Sequence, residues 1–276
     1  MIRDTFFSLH RFVDLCRKEM VENWRTYILR SVMVYGVMAI VFIWSGYLQY
    51  EEINMSIPRE IDPIWKFEFI VFLWGLVIWG AISASFAMER MKTKTSRTVV
   101  LMTPATMFEK FFSRWLVATC GFIVVFLIAF KMADWTRVLV YTLKFPGTDV
   151  ISSFPLLQLC NNSGLFYEAS ADHNMVSLFI SGYLVVQSFF LLGSAIWPKN
   201  ALIKTFAAGV VITIVYIMVG LLFAKMFFPD NFLKGNVGIE DTTAQSIVVI
   251  VNWCFIFFNW GLAYFRFKES EIINRW

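Results

Sequence analysis

Residues 67–88, FEFIVFLWGLVIWGAISASFAM, followed at once by residues 89–115, ERMKTKTSRTVVLMTPATMFEKFFSRW, decide the class of this chain. The first run carries one charge, Glu68, close to its start. About 20 mostly apolar residues in a helix cross the hydrocarbon core of a bilayer. The run is continuously apolar with no period-two alternation, so it reads as a helix and not a barrel strand. The second stretch holds six basic residues, Arg90, Lys92, Lys94, Arg97, Lys110 and Arg114, against two acids, Glu89 and Glu109. A span that runs into a basic segment is leaving toward the inner face of a membrane.

Working outward, the same pattern recurs. The chain is 58% hydrophobic and 16% charged, with a mean hydropathy of +0.64. Soluble domains carry about 25% charged residues, so the membrane class is indicated. Six runs are long enough to span, at about 31–50, 67–88, 115–133, 175–196, 205–228 and 245–265. The expected fold is an all-α integral membrane protein with a six-helix transmembrane domain over residues 29–276. Its four cysteines, Cys16, Cys120, Cys160 and Cys254, lack CxxC spacing and suggest no disulfide framework.

Lys and Arg counts set the expected orientation. With the N-terminus inside, the inner segments hold 17 and the outer segments five. Both termini are then cytoplasmic. Trp44, Trp65, Trp135 and Trp197 fall near span ends, as interfacial aromatics do. The first 28 residues are charged throughout and show no signal-peptide core. Within them Phe6, Leu9, Val13, Cys16, Met20 and Trp24 recur at helical spacing, with Arg11, Arg17, Lys18 and Arg25 mainly off that stripe. The spacing predicts an amphipathic helix over residues 1–28, lying along the inner surface against membrane lipid. A solvated juxtamembrane helix is the alternative.

Within 89–114, Thr103-Pro104 and Thr106-Met107-Phe108-Glu109 give helix-start signals, the second a capping box. Val99 to Met102 make an apolar knuckle inside a basic loop, suited to docking another protein. The other reading is a basic loop that only enforces topology. On the sixth run Asn252 and Asn259 share a face, as expected of a helix-packing or dimer seam. The residues 134–174 are expected to form an outer segment, either a small cap or a loose connection.

The wording of residues 89–114 resembles the loop between the second and third spans of ABC type-2 exporter permeases, in a variant found in Bacteroides-type bacteria. The matching residues are Glu89, Thr95 or Thr98, Leu101, Pro104, and Lys110 or Arg114. Lys94-Thr95-Ser96 stands where that class carries Gly-Thr, and the largest outer insertion follows the third span rather than the fifth. The resemblance implies a permease subunit of the bacterial inner membrane. It would dock a separate ATP-binding subunit through Glu89, Arg90, Lys92, Lys94, Arg97, Val99, Leu101, Pro104, Glu109, Lys110 and Arg114, and would pair with a second permease chain as a homodimer or heterodimer. No cofactor and no nucleic acid are implied.

The remaining residues narrow the chemistry. The sequence contains no GxxxxGK[ST] and no HExxH, so ATP binding, metal and catalysis are not expected of this chain. The charges inside predicted spans, Glu68, Lys131 and Lys225, lie near span ends, where snorkelling is expected. Two rival readings are a non-transporting scaffold or immunity-type protein, and a lipid-modifying enzyme built on Asn161, Asn162, Glu168, Asp172 and His173. The sequence does not name a substrate; uncharged, Phe-rich spans suit a hydrophobic cargo.

Overall fold

The computed structural model describes residues 7–52, 62–145, 151–156, 174–227 and 241–270. Among these residues the regular structure is helical, with no strand. The helices are α1 (Leu9–Glu52), α2 (Trp65–Ser85), α3 (Lys94–Met102), α4 (Met107–Leu116), α5 (Phe122–Lys144), α6 (Asn174–Ile196), α7 (Ala201–Phe227) and α8 (Asp241–Glu269). A 3₁₀ turn, Glu89–Met91, precedes α3, and a π turn, Val117–Gly121, joins α4 to α5. Among the described residues six helical stretches are long and apolar enough to cross a membrane: Leu9–Tyr50, Trp65–Met91, Met107–Lys144, Val176–Ile196, Ala201–Leu222 and Gln245–Glu269. The chain is thus a multi-pass membrane protein by length and composition of its helices.

The chain divides into two compact units. The first joins Met1–Ser83 to Pro104–Ala169, and the second joins Ala84–Thr103 to Ser170–Trp276. In the first unit α1 runs parallel to the whole α4–π–α5 rod. Arg11 meets Glu109 near one end and Tyr50 meets Arg137 near the other. Antiparallel α2 fills the groove between them, with Phe72 against Phe126 and Phe130. Val34, Met38, Phe42, Phe126, Ala129, Phe130, Ala133 and Phe154 make the shared core. Gly46 admits the Tyr141 ring, with which a Cβ would collide, and the Tyr141 hydroxyl donates to the Ile43 carbonyl at 2.6 Å.

Two helix limits differ from expectation here. No break separates an amphipathic helix over 1–28 from the first span. The sequence Ile28-Leu29-Arg30-Ser31 contains no Gly or Pro, and Ser31 donates its hydroxyl to the Tyr27 carbonyl at 2.8 Å instead of capping a new helix. The result is a 44-residue helix, about 66 Å long at 1.5 Å per residue. The third span also overruns its expected limits of 115–133, because α5 continues to Lys144 through charges that the fold neutralises. Asp134 and Arg137, expected in an outer loop, are helical and buried.

The π turn carries one residue more than an α turn. The Phe122 N–H donates to Val117 O and Thr119 O, and the Ser83 hydroxyl donates to the Ala118 carbonyl at 3.2 Å. A polar group from α2 thus serves the loosened backbone.

In the second unit α6 and α8 run parallel. Asn252 Nδ2 donates to Ser181 Oγ and Asn259 Nδ2 to Ser188 Oγ, each at 3.1 Å. Both amides are used inside this chain. Residues 197–200 return α6 into antiparallel α7, with Asn200 at φ 61°, a left-handed conformation that Asn tolerates. Gly193 sits where a Cβ would strike the Thr205 side chain, so α6 and α7 approach closely there.

Candidate functional site

The segment singled out by sequence is split between the two units at Thr103 and Pro104. Its first part, 89–103, is a short amphipathic element. Thr93 caps α3, its Oγ1 accepting from Ser96 N at 3.3 Å. Thr103 ends the helix, donating its N–H to Val100 O at 3.4 Å and its hydroxyl to Val99 O at 3.1 Å. Val100 turns inward and is buried, and Leu101 is half-buried. Arg97 is also drawn in, donating from Nη2 to Met91 O at 3.3 Å. It lines a small pocket with Met88, Met91, Ala195, Pro198, Phe267 and Ser270. Thus α3 lies against the C-terminal ends of α6 and α8.

The opposite face of α3 is open. Lys92, Lys94, Thr95 and Thr98 are exposed, Val99 is 58% exposed and Met102 is 79% exposed. Glu89 is exposed and Arg90 half-buried at the start of the turn. Two apolar side chains flanked by two lysines form a surface that a protein with acidic and apolar groups would match.

The second part, 104–116, belongs to the first unit. Pro104 is exposed, but Glu109, Lys110 and Arg114 are buried. They are therefore not surface groups as the sequence suggested. The physical reason is α1, whose Leu9 end packs along α4. Glu109 completes the expected capping box with Thr106. Its carboxylate also accepts from Ser8 N and from Nε and Nη2 of Arg11, all at 2.8 Å. Arg114 Nε and Ser113 Oγ contact the Glu19 carboxylate at 3.2 and 3.3 Å. Phe12 of α1 packs on Phe112, which stacks on Phe108 and Trp115.

Sequence reasoning missed a second polar centre, at the Tyr50 end of the first unit. Arg137 Nη1 donates to Asp62 Oδ2 at 3.0 Å and to Tyr50 Oη at 2.7 Å. Its Nη2 donates to Asp134 Oδ1 at 2.8 Å and to Ser152 O at 2.9 Å. Its Nε lies 2.6 Å from Glu68 Oε1 as an ion pair, without hydrogen-bond alignment. Lys131 Nζ reaches Asp134 Oδ2 at 3.2 Å. Arg137, Asp62, Glu68 and Asp134 are all buried. Glu68 and Lys131 were expected to snorkel; instead they join a closed ionic network. The signal was the i, i+3 spacing of Lys131, Asp134 and Arg137, which a hydropathy scan reads only as the end of a span.

Among the described residues no three His, Cys, Asp or Glu side chains converge to hold a metal ion. Asn161, Asn162, Glu168, Asp172 and His173 lie outside the described residues. Comparison with protein-family models, curated proteins and solved structures gives no match.

Proposed function

We propose that this chain is the membrane-spanning permease subunit of an ABC type-2-like exporter, energised by a separate ATP-binding subunit. The observation that carries the reading is the open face of α3. A basic, apolar helix of nine residues is held firmly on one side by Val100 and Arg97 and left uncovered on the other. A helix that only enforced topology would not need exposed Val99 and Met102 beside Lys92 and Lys94. The charge bias supports a cytoplasmic location for this face, where an ATPase of a bacterial inner-membrane exporter would dock.

In this reading, closure of the ATPase pair on ATP displaces α3. The displacement passes to the ends of α6 and α8, against which α3 packs, and biases the permease toward an outward-open state. Glu109 and Arg114 serve instead to brace α4 against α1. Two permease chains, alike or related, would enclose the path.

Charge reversal of Lys92 and Lys94 together, with Met102→Ser, should abolish co-purification of an ATPase from native membranes while leaving the chain folded. Retention of the ATPase by that variant would defeat the docking surface. Absence of any ATPase with the unmodified chain would favour the non-transporting scaffold.

A further inference from the structure

Residues 151–155 form neither helix nor strand, yet they and Leu156 are tightly held. Ser152 N donates to Asp62 Oδ2 at 3.2 Å and Phe154 N to Asp134 Oδ2 at 2.8 Å. The Ser152 carbonyl accepts from Arg137 Nη2 at 2.9 Å and from Trp65 Nε1 at 3.3 Å. The Phe154 carbonyl accepts from Lys131 Nζ at 2.6 Å, and Ser153 Oγ lies 3.2 Å from the same ammonium. The Phe154 ring is fully buried, edge-on to Phe130 and Trp65. Thus a short backbone stretch is bound by charged groups carried on α5 and on the approach to α2.

We infer that residues 151–156 are a latch, which closes the Tyr50 end of the α1–α2–α5 bundle and is released as one unit. The charge arithmetic supports this. Asp62, Glu68 and Asp134 face Lys131 and Arg137, three carboxylates against two cations, so the cluster needs donors from elsewhere. The latch supplies two backbone N–H groups to those carboxylates and two carbonyls to the cations. Detaching one contact leaves a buried polar group short of one partner while the rest of the network stays closed to water, whereas complete detachment lets water replace every contact at once. Intermediate states are disfavoured, and the element is two-state. Withdrawal of Phe154 also empties an aromatic recess beside the charges. If the chain is an exporter of the proposed topology, this end is the exit side and latch release admits water there; that clause rests on the proposed function.

Hydrogen–deuterium exchange of the intact chain in lipid nanodiscs tests concerted release. Ser152 and Phe154 amides should exchange at one common rate, slower than open amides by about a hundredfold or more. Lys131→Met and Phe154→Ala should each accelerate both amides by the same factor, about tenfold or more, without affecting amides near Phe126. Independent rates, or acceleration of only one amide, would overturn the latch. A second arm places Ser153→Cys in a chain whose native cysteines are serine. Its labelling by a membrane-impermeant maleimide should rise about tenfold when the ATPase complex turns over ATP. Equal labelling during active hydrolysis would refute opening in the cycle. Failure to obtain an ATPase complex would count against the exporter reading, and the exchange arm would still decide the latch.

Discussion

Arg11 and Glu109, 98 positions apart, are joined by two hydrogen bonds of 2.8 Å between guanidinium and carboxylate. The same carboxylate closes the cap of α4 and accepts from Ser8 N. One side chain therefore ends a helix, pairs a charge and ties the Leu9 end of α1 to α4.

Substitution at this pair should be asymmetric. Arg11→Met leaves the buried carboxylate short of a partner and should destabilise the first unit by about 2 kcal/mol, less than a fully buried pair because Arg11 is partly exposed. Glu109→Gln keeps an acceptor for the cap and should cost about 1 kcal/mol. Thermal unfolding of both single variants and the double variant in detergent would measure the coupling. Additive losses would show that the pair does not act together.

Arg137 uses its guanidinium on three carboxylates that approach from different directions. An ammonium cannot reproduce that fork, so Arg137→Lys should behave as a severe change, costing about 3 kcal/mol or more. Folded yield by size-exclusion chromatography is the readout. Lys131→Met, which removes a cation at the rim, should cost less and leave the yield measurable.

Gly46 and Gly36 give a paired test. A Cβ at Gly46 collides with the Tyr141 ring, whereas one at Gly36 meets nothing within 4 Å. Gly46→Ala should cost about 1–3 kcal/mol through overpacking, and Gly36→Ala should be neutral or slightly stabilising. Equal melting temperatures for the two variants would contradict the close approach of α1 and α5.

The α6–α8 seam should be weak per bond. Interhelical hydrogen bonds in membranes contribute on average about 0.6 kcal/mol, so Asn252→Ala and Asn259→Ala should each lower stability by about that amount. The sites are one heptad apart, about 10 Å, and the losses should add. The double variant should stay folded and the seam intact by cross-linking.

Much of the fold was legible because lipid exposure demands long apolar runs, and six such runs stand in the sequence. The limits of the runs were less legible. Hydropathy ends the third span at 133 because it scores charges singly, while the fold extends the helix by pairing Asp134 with Lys131 and Arg137, and Arg137 with Asp62, Glu68 and Tyr50 from earlier stretches. No local window contains those partners. The same applies to Glu109, whose cap was readable from Thr106 but whose bond to Arg11 depends on tertiary packing. In α3 the composition was informative and the direction was not: burial of Val100 and Arg97 selects Val99, Met102, Lys92 and Lys94 as the face left open.

The π turn at Val117–Gly121 has a consequence for what this chain can lose. One extra residue advances everything beyond it by about 100° relative to an unbroken α-helix. The rod formed by α4 and α5 is thus spelled with one letter too many, and its two halves meet α1 in different phases. Deleting a single residue there would yield a more regular helix and a worse protein. Either Glu109 would swing away from Arg11 or Phe130 from Phe42, and no substitution elsewhere on the rod could restore both.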